Sequence, residues 1–97
     1  MPSWGLILEP AIGVSPRPQH EAYVLAHVHG TREEAMAELE RRAREHVPAQ
    51  PRKPQRRRLF RVADGFMLVL DGNWQSMATR FTLGELLEDS AAPPPPS

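Results

Sequence analysis

Two histidines come nearest, by type and spacing, to a metal-binding pair in this chain. His27 and His29 stand in the run Glu21–His29, EAYVLAHVH. Side chains two positions apart on a β-strand point to the same side, so both imidazoles would share one face. With His20 or the Glu21 carboxylate nearby, they could hold a divalent metal. Two such histidines are more often surface or sheet-edge residues, so we predict no metal site and no cofactor and keep the pair as a weak candidate.

A run of cations is the second feature with chemical potential. Residues 41–61 carry nine Arg or Lys against one Glu, about +8, whereas residues 1–40 and 62–97 each sum to −4. The run could contact phosphates, with Phe60 or Trp74 stacking on bases. However, the whole chain is neutral, and nucleic-acid-binding domains are usually basic. Nucleic-acid binding is therefore the alternative to a solvated loop and strand edge, and its candidate residues are Arg52, Lys53, Arg56, Arg57, Arg58 and Arg61.

Catalysis has little support in the sequence. The serines at 3, 15, 76, 90 and 97 lie in no nucleophile motif, and no glycine-rich phosphate loop is present. The absence of cysteine excludes disulfides, zinc-cysteinate sites and thiol chemistry. Asp64 and Asp71 are explained as turn residues. The sequence therefore shows no catalytic constellation and favours a non-enzymatic protein.

Length and composition indicate one domain. The 97 residues predict a single α+β domain over 1–89, with a mobile Pro- and Arg-rich linker at 47–56 inside it and a disordered Pro-rich tail at 90–97. No apolar run reaches the roughly 20 residues of a membrane span. The first residues, MPSWGLILEP, lack the basic region of a signal peptide. We expect a cytoplasmic protein without membrane association.

Apolar runs and stop signals predict the elements at the two ends of the chain. A first strand covers Trp4–Glu9 and is stopped by Pro10, and a second covers Glu21–His29. Near the C-terminus, the sequence TLGE resembles a capping box. It predicts a short helix over Leu83–Asp89.

The main helix is predicted over Thr31–His46. Thr31 can cap the first turn, and Glu34 three positions later can reach back to complete a capping box. Acidic residues lie toward its N-terminus and arginines toward its C-terminus, as the helix dipole favours. Its apolar stripe is narrow, which predicts that it covers a sheet on one side only. The stripe consists of Ala35, Met36, Leu39, Ala43 and Val47.

The segment Arg57–Phe81 predicts a three-stranded antiparallel meander. Apolar runs stop at Asp64-Gly65 and at Asp71-Gly72-Asn73, which are typical of tight hairpins that need positive φ. A two-residue Asp64-Gly65 loop places Leu59 opposite Leu70, Phe60 opposite Val69, and Arg58 opposite Asp71. The second hairpin stays open. A two-residue loop places Gln75, Met77, Thr79 and Phe81 beside Phe66 and Leu68, and a three-residue loop places Trp74, Ser76 and Ala78 there.

Both faces of this meander are apolar. One face holds Leu59, Ala63, Phe66, Leu68 and Leu70, and the other holds Phe60, Val62, Met67 and Val69. A solvated antiparallel sheet normally has one polar face, and one narrow helix cannot cover two apolar ones. The second face therefore needs a cover: the N-terminal strands, the short C-terminal helix, or a second copy of the chain.

These elements together predict an α+β fold. We expect an antiparallel sheet of four to five strands in the order β-β-α-β-β-β, plus a short C-terminal helix, with one main helix packed on one face. The motifs VHGTREEA at 28–35, DGF at 64–66 and DG at 71–72 resemble small uncharacterised α+β proteins of GC-rich bacteria. That resemblance implies a fold and no activity.

The functional prediction is a small cytoplasmic interaction or accessory module. We expect it to form a homodimer, or to bind another protein partner, through the second apolar face of the sheet. The surface residues predicted to carry this contact are Phe60, Met67, Val69 and Trp74.

Overall fold

The structure, a computed structural model, describes residues 2–12, 22–47, 54–73 and 76–91. The elements in chain order are strands β1 (Ser3–Ile12) and β2 (Tyr23–His29), helix α1 (Arg32–Glu45), and strands β3 (Arg56–Val62), β4 (Gly65–Asp71) and β5 (Ser76–Glu85). The strands form one five-stranded sheet in the order β2-β1-β5-β4-β3, and every neighbouring pair is antiparallel. The predicted fold class, an α+β protein with an antiparallel sheet and one main helix, is confirmed.

The helix forms where local sequence signals predict it. Thr31 is the N-cap: its Oγ1 accepts a hydrogen bond from the Glu34 amide at 3.1 Å, and Glu34 Oε1 accepts one from the Thr31 amide at 3.0 Å. This reciprocal capping box lowers the pKa of Glu34 through the two hydrogen bonds to Thr31. On the outer surface, Glu38 pairs with Arg41 and Arg42, and those hydrogen bonds lower its pKa to about 2.

One face of the sheet and one stripe of α1 make the core. Ala35, Leu39 and Ala43 are fully buried against the central strands β1, β5 and β4. Val47, which was predicted to extend the stripe, is 85% exposed because the helix ends at Glu45. The core side chains of the sheet are Leu6, Leu8, Phe66, Leu68, Leu70, Phe81 and Leu83.

The prediction of a short C-terminal helix over Leu83–Asp89 is wrong. β5 continues through these positions to Glu85, and 86–89 is neither helix nor strand. Leu83 pairs with Leu6 of β1 and is buried beneath α1. A ladder with β1 and a buried leucine outweigh a helix of two turns, because isolated short helices are marginal in water.

The first strand is longer than predicted, because Pro10 does not stop it. β1 runs from Ser3 to Ile12 and pairs with β5 along its whole length, so that Pro10 lies opposite Thr79. The β2 ladder reaches only Leu8. Pro10 therefore stands where one side of β1 has no described neighbour, which is where a sheet tolerates a residue without an N–H.

The registers of both hairpins differ from the predicted ones. The first turn is Ala63-Asp64, with Val62 opposite Gly65 and Phe60 opposite Met67, rather than a loop of Asp64-Gly65. In the second hairpin Asp71 pairs with Ser76, so four residues separate the paired ends in sequence rather than two or three. The predicted faces of β3 and β4 are right even though the cross-strand partners are wrong, except that Ala63 lies in the turn. For β5, the two-residue alternative put Met77, Thr79 and Phe81 on the correct face, and the three-residue alternative is wrong.

Glycine is needed at position 65 for a different reason from the positive φ that the sequence suggests. Among the described residues, positive φ occurs only at Gly30, so the first hairpin does not use a left-handed glycine. A Cβ at position 65 would lie 1.8 Å from the main-chain oxygen of Phe81. Gly65 is required because the β5 backbone approaches it closely.

Candidate interaction surface

The sheet has a second face that no described element covers. We call it the open face. Its apolar side chains come from all five strands, because each strand turns alternate residues away from α1. Phe60 and Val24 are 46% and 53% exposed, and the others are half-buried by their neighbours. The apolar residues of the open face are Ile7, Val24, Phe60, Val62, Met67, Val69 and Ala78.

Charges of both signs are set among these apolar side chains. Arg80 projects from β5, the central strand, with Met67 opposite on one side and Glu9 opposite on the other. At the end of the face near the second hairpin, Arg58 donates to Asp71 at 2.8 Å. The Ser76 hydroxyl also donates to Asp71, and this bond, followed by the Arg58 charge, lowers the pKa of Asp71. The open face therefore combines apolar side chains with charges of both signs: Arg58 is paired with Asp71, and Arg80 lies opposite Glu9.

The Arg58 side chain packs against Phe60 on the open face. Its guanidinium carbon is 5.8 Å from the centre of the Phe60 ring, a cation–π contact. Its Nε is buried without a hydrogen-bond partner within the described part of the chain. Arg58 therefore adds to the packing of the face and is not free to reach outward as a phosphate-binding arm.

Neither of the two predicted covers from the same chain, the N-terminal strands and the C-terminal helix, lies over the open face. The N-terminal strands β1 and β2 join the same sheet and extend it, rather than folding over it. The residues predicted as a C-terminal helix continue β5 instead. Among the residues that the structure describes, the helix covers one face and nothing covers the other.

The predicted interaction residues fall on this face as far as the structure describes them. Phe60, Met67 and Val69 all lie on the open face, side by side on β3 and β4. Trp74 lies outside the described residues. Ile7, Val24 and Ala78 were missed as members of the same surface, because the pairing of β1 with β5 is a long-range contact that no local pattern announces.

The cations of the basic run do not converge. Arg57 and Arg61 lie on the helix side of β3, whereas Arg56 and Arg58 lie on the open face, because they alternate along one strand. Arg57 binds the end of α1, and Arg61 is 3.8 Å from Glu40. The remaining candidates, Arg52 and Lys53, lie outside the described residues. Within the described residues, the alternation divides the basic strand between two faces.

The two histidines share one face, as predicted. His27 pairs with Gly5 and His29 with Ser3, so both lie at the β2 edge of the open face. The Ser3 hydroxyl is 2.7 Å from His29 Nδ1, a hydrogen bond that occupies that ring nitrogen. In the described ranges, no group of three His, Cys, Asp or Glu side chains comes together that could hold a metal ion. His20 and Glu21, the suggested further ligands, are outside those ranges.

Comparisons with protein-family models, curated proteins and solved structures found no match to this chain. In the described part of the chain, no helix has the length and hydropathy needed to cross a membrane. The surface itself therefore carries the functional argument.

Proposed function

We propose that this protein is a small non-enzymatic interaction module that self-associates through the open face. The observation that carries the proposal is the sheet face that no described element covers, on which the apolar side chains of Phe60 and Val24 remain about half exposed. Exposed apolar side chains grouped on one face of a small protein are typical of protein–protein contacts. Two sheets packed face to face, about 10 Å apart, give each copy a second layer that the described part of its own chain does not provide.

The size of the face suits a weak dimer. Five strands about 4.8 Å apart and seven residues at about 3.4 Å each give a flat footprint of about 570 Å² per copy. Because side chains project from this plane, the accessible area is larger than the flat footprint and approaches the roughly 800 Å² that each partner buries in a specific interface. We therefore expect association in the micromolar range, with a concentration-dependent equilibrium between monomer and dimer.

The charges on the face suit a second copy of the same surface. A two-fold contact brings the same patch of both copies together, so each charge needs an opposite one within that patch. Arg80 and Glu9 supply one such pair of opposite charges on neighbouring strands. The Arg58–Asp71 pair is already neutralised within each copy. Association of two faces therefore need not leave a buried charge alone.

Sedimentation equilibrium over a concentration series tests this proposal. The informative variant is Val69→Glu, since Val69 lies on the open face away from both sheet edges. Its matched control is Ala37→Glu, on the exposed side of α1. We expect the parent chain and the Ala37→Glu variant to dimerise alike, and Val69→Glu to dissociate at least about tenfold more readily, because a buried unpaired carboxylate is costly.

A parent chain that stays strictly monomeric at high concentration would contradict self-association. Equal dimerisation by Val69→Glu and the parent would instead move the contact away from the open face. Circular dichroism of each variant checks that its sheet and helix are retained.

A further inference from the structure

The sheet has a second unpartnered feature, the outer edge of β3. β4 lies on one side of β3, and no described strand lies on the other. Because Val62 and Gly65 flank a two-residue turn, they form the hydrogen-bonded pair that closes the hairpin. Alternation along β3 then leaves the main-chain groups of Arg57, Leu59 and Arg61 directed outward. An open edge of this kind accepts an added strand.

The side chains of this edge have a definite pattern. Residues 57–61 read RRLFR, two apolar residues between cations. Leu59 packs against the core from the helix side, and Phe60 is about half exposed on the open face. A second β3 strand is a poor partner for this edge, because arginines of the two copies would stand opposite or beside one another. The fitting partner is an acidic segment with apolar residues at its centre.

The chain contains such a segment at the C-terminal end of β5, beginning with its last residue. Residues 85–89 read ELLED, and Leu87 is 89% exposed. The Leu86 amide donates to the Ser3 carbonyl at 2.8 Å, so the main chain of Leu86 is directed toward β1. Alternation directs the main-chain groups of Glu85 to the other side of β5, and those of Leu87 would follow where the segment adds as a strand. β4 begins opposite Thr82, so no described strand lies beside Glu85 and Leu87 on that side.

We propose that Glu85–Asp89 of one copy adds as an antiparallel strand to the free edge of β3 in a second copy. In the register that fits, Glu85 stands opposite the exposed Arg61 and each leucine opposite an apolar residue, whereas Glu88 and Asp89 stand opposite Arg58 and Arg57, which also have partners within their own chain. The opposed pairs are Glu85 with Arg61, Leu86 with Phe60, Leu87 with Leu59, Glu88 with Arg58, and Asp89 with Arg57.

The same register also matches the backbones. The outward-directed groups of β3 belong to Arg57, Leu59 and Arg61, and their partners in this register are Asp89, Leu87 and Glu85. Glu85 and Leu87 are the positions that alternation from Leu86 leaves unpaired. The charge pattern, the apolar pattern and the main-chain alternation therefore agree on one alignment.

The contact must form between two copies. Within one chain Glu85 is held opposite Trp4 in β5, and β4 separates β5 from β3. The segment therefore cannot reach its own β3 edge in this register. Reciprocal exchange of the two segments closes a dimer, as two-fold symmetry favours. This contact deepens the proposed self-association by naming a second contact between copies, and it is tested separately from the open face.

The test is a fluorescence-anisotropy titration of a labelled peptide, GELLEDS, with the full-length chain carrying Leu87→Ser. This substitution weakens the competing segment of the chain itself, and Leu87 is too exposed for its loss to disturb the fold. We expect saturable binding with a Kd of about 10–500 µM, as befits a short peptide. A peptide with both leucines replaced by serine, GESSEDS, should bind at least about tenfold more weakly, because the apolar contacts are lost.

Charge exchange tests the register. Arg61→Glu in the Leu87→Ser chain should weaken binding of GELLEDS, because two carboxylates would then stand opposite each other. Arg61 suits this change because 80% of its side chain is exposed. A peptide in which Glu85 is replaced by arginine, GRLLEDS, should restore binding to the Arg61→Glu chain and bind the chain with Arg61 less well.

Failure to saturate near 1 mM, or equal binding of GELLEDS and GESSEDS, would overturn this proposal. Absence of the charge-exchange rescue would overturn its register. Ala78→Glu in the Leu87→Ser chain keeps the two contacts apart, since Ala78 lies on the open face in β5 and pairs with no residue of β3. It should bind the peptide as the Leu87→Ser chain does. If the peptide does not bind but Val69→Glu still weakens the dimer, the edge contact is refuted and the open-face contact is retained.

Discussion

The guanidinium of Arg57 on β3 closes the C-terminal end of α1 by donating to the His46 carbonyl at 2.8 Å. The same group donates to the carbonyls of Ala43 and Arg44, each at 2.9 Å. These are among the last carbonyls of the helix, which have no partner within the helix itself. A cation there also complements the negative end of the helix dipole. Arg57 is therefore a structural link between helix and sheet, although the sequence places it in a run of apparent phosphate-binding residues.

Arg57→Gln should lower the free energy of unfolding by about 1–2 kcal/mol, since hydrogen bonds from a charged donor and the helix-end charge are lost together. For a domain of this size, that is a fall in melting temperature of roughly 4–16 °C. The control is Arg56→Gln, because Arg56 is exposed and lies on the opposite face of the same strand. Thermal unfolding followed by circular dichroism measures both. Equal effects of the two variants would refute the helix-end role.

His46 should make stability depend on pH below about 6.5. Its ring packs edge-on against Phe81, with centroids 5.3 Å apart, and burial, followed by the charge of Arg57, lowers its pKa. The unfolded chain then binds a proton at a higher pH than the folded chain. Stability is therefore unaffected above the unfolded pKa and falls as the pH drops through the window between the two values.

Urea unfolding of the parent chain and of His46→Gln, at pH 7.5 and 5.5, measures this effect. The parent should lose more stability than the variant over that interval. The carboxylates with lowered pKa values, Glu34, Glu38 and Asp71, contribute at more acidic pH, because they lose their stabilising charge only on protonation. An equal loss in the two proteins would place the titrating group elsewhere.

Gly65→Ala should destabilise the fold severely, by about 3 kcal/mol or more, because the added Cβ would meet the main chain of β5 and no side chain can move to relieve it. Gly5→Ala is the matched control in the same sheet. There the nearest atom, the Gly84 oxygen, is at an ordinary 3.8 Å. Its effect should stay within about 0.5 kcal/mol. Chemical denaturation of both variants decides whether backbone proximity explains Gly65.

The basic run should bind nucleic acid weakly at most. Arg57 is engaged at the helix end, and Arg58 is paired with Asp71. The arginines of β3 also point to two different faces. An anisotropy titration with mixed DNA and RNA at about 50 mM salt, where phosphate contacts are strong, should show no saturable binding below micromolar concentrations. Tight binding that Arg56→Gln weakens would restore the nucleic-acid interpretation.

Local signals in the sequence determined the helix and the division of the sheet into faces. The Thr31–Glu34 capping box forms as predicted, because it involves residues three positions apart. The two apolar faces of the meander are also correct, since alternation depends only on an extended backbone. For the same reason Phe60, Met67 and Val69 could be grouped on one surface before the fold was known.

Only the tertiary structure decided the features that depend on distant partners. The pattern TLGE looks the same whether it opens a helix or continues a strand, and the β1 neighbour selects the strand. The hairpin registers depend on which residues the neighbouring strands bury, which is why Gly65 lies against the β5 backbone. Arg57 finds its carbonyl partners 11 to 14 positions earlier in the chain. Covalent neighbours fix φ, ψ and alternation, whereas the cover of a face and the partner of a cation are contacts across the fold. The sequence by itself therefore determined that a second apolar face exists, and the tertiary structure decided that the described chain leaves it open.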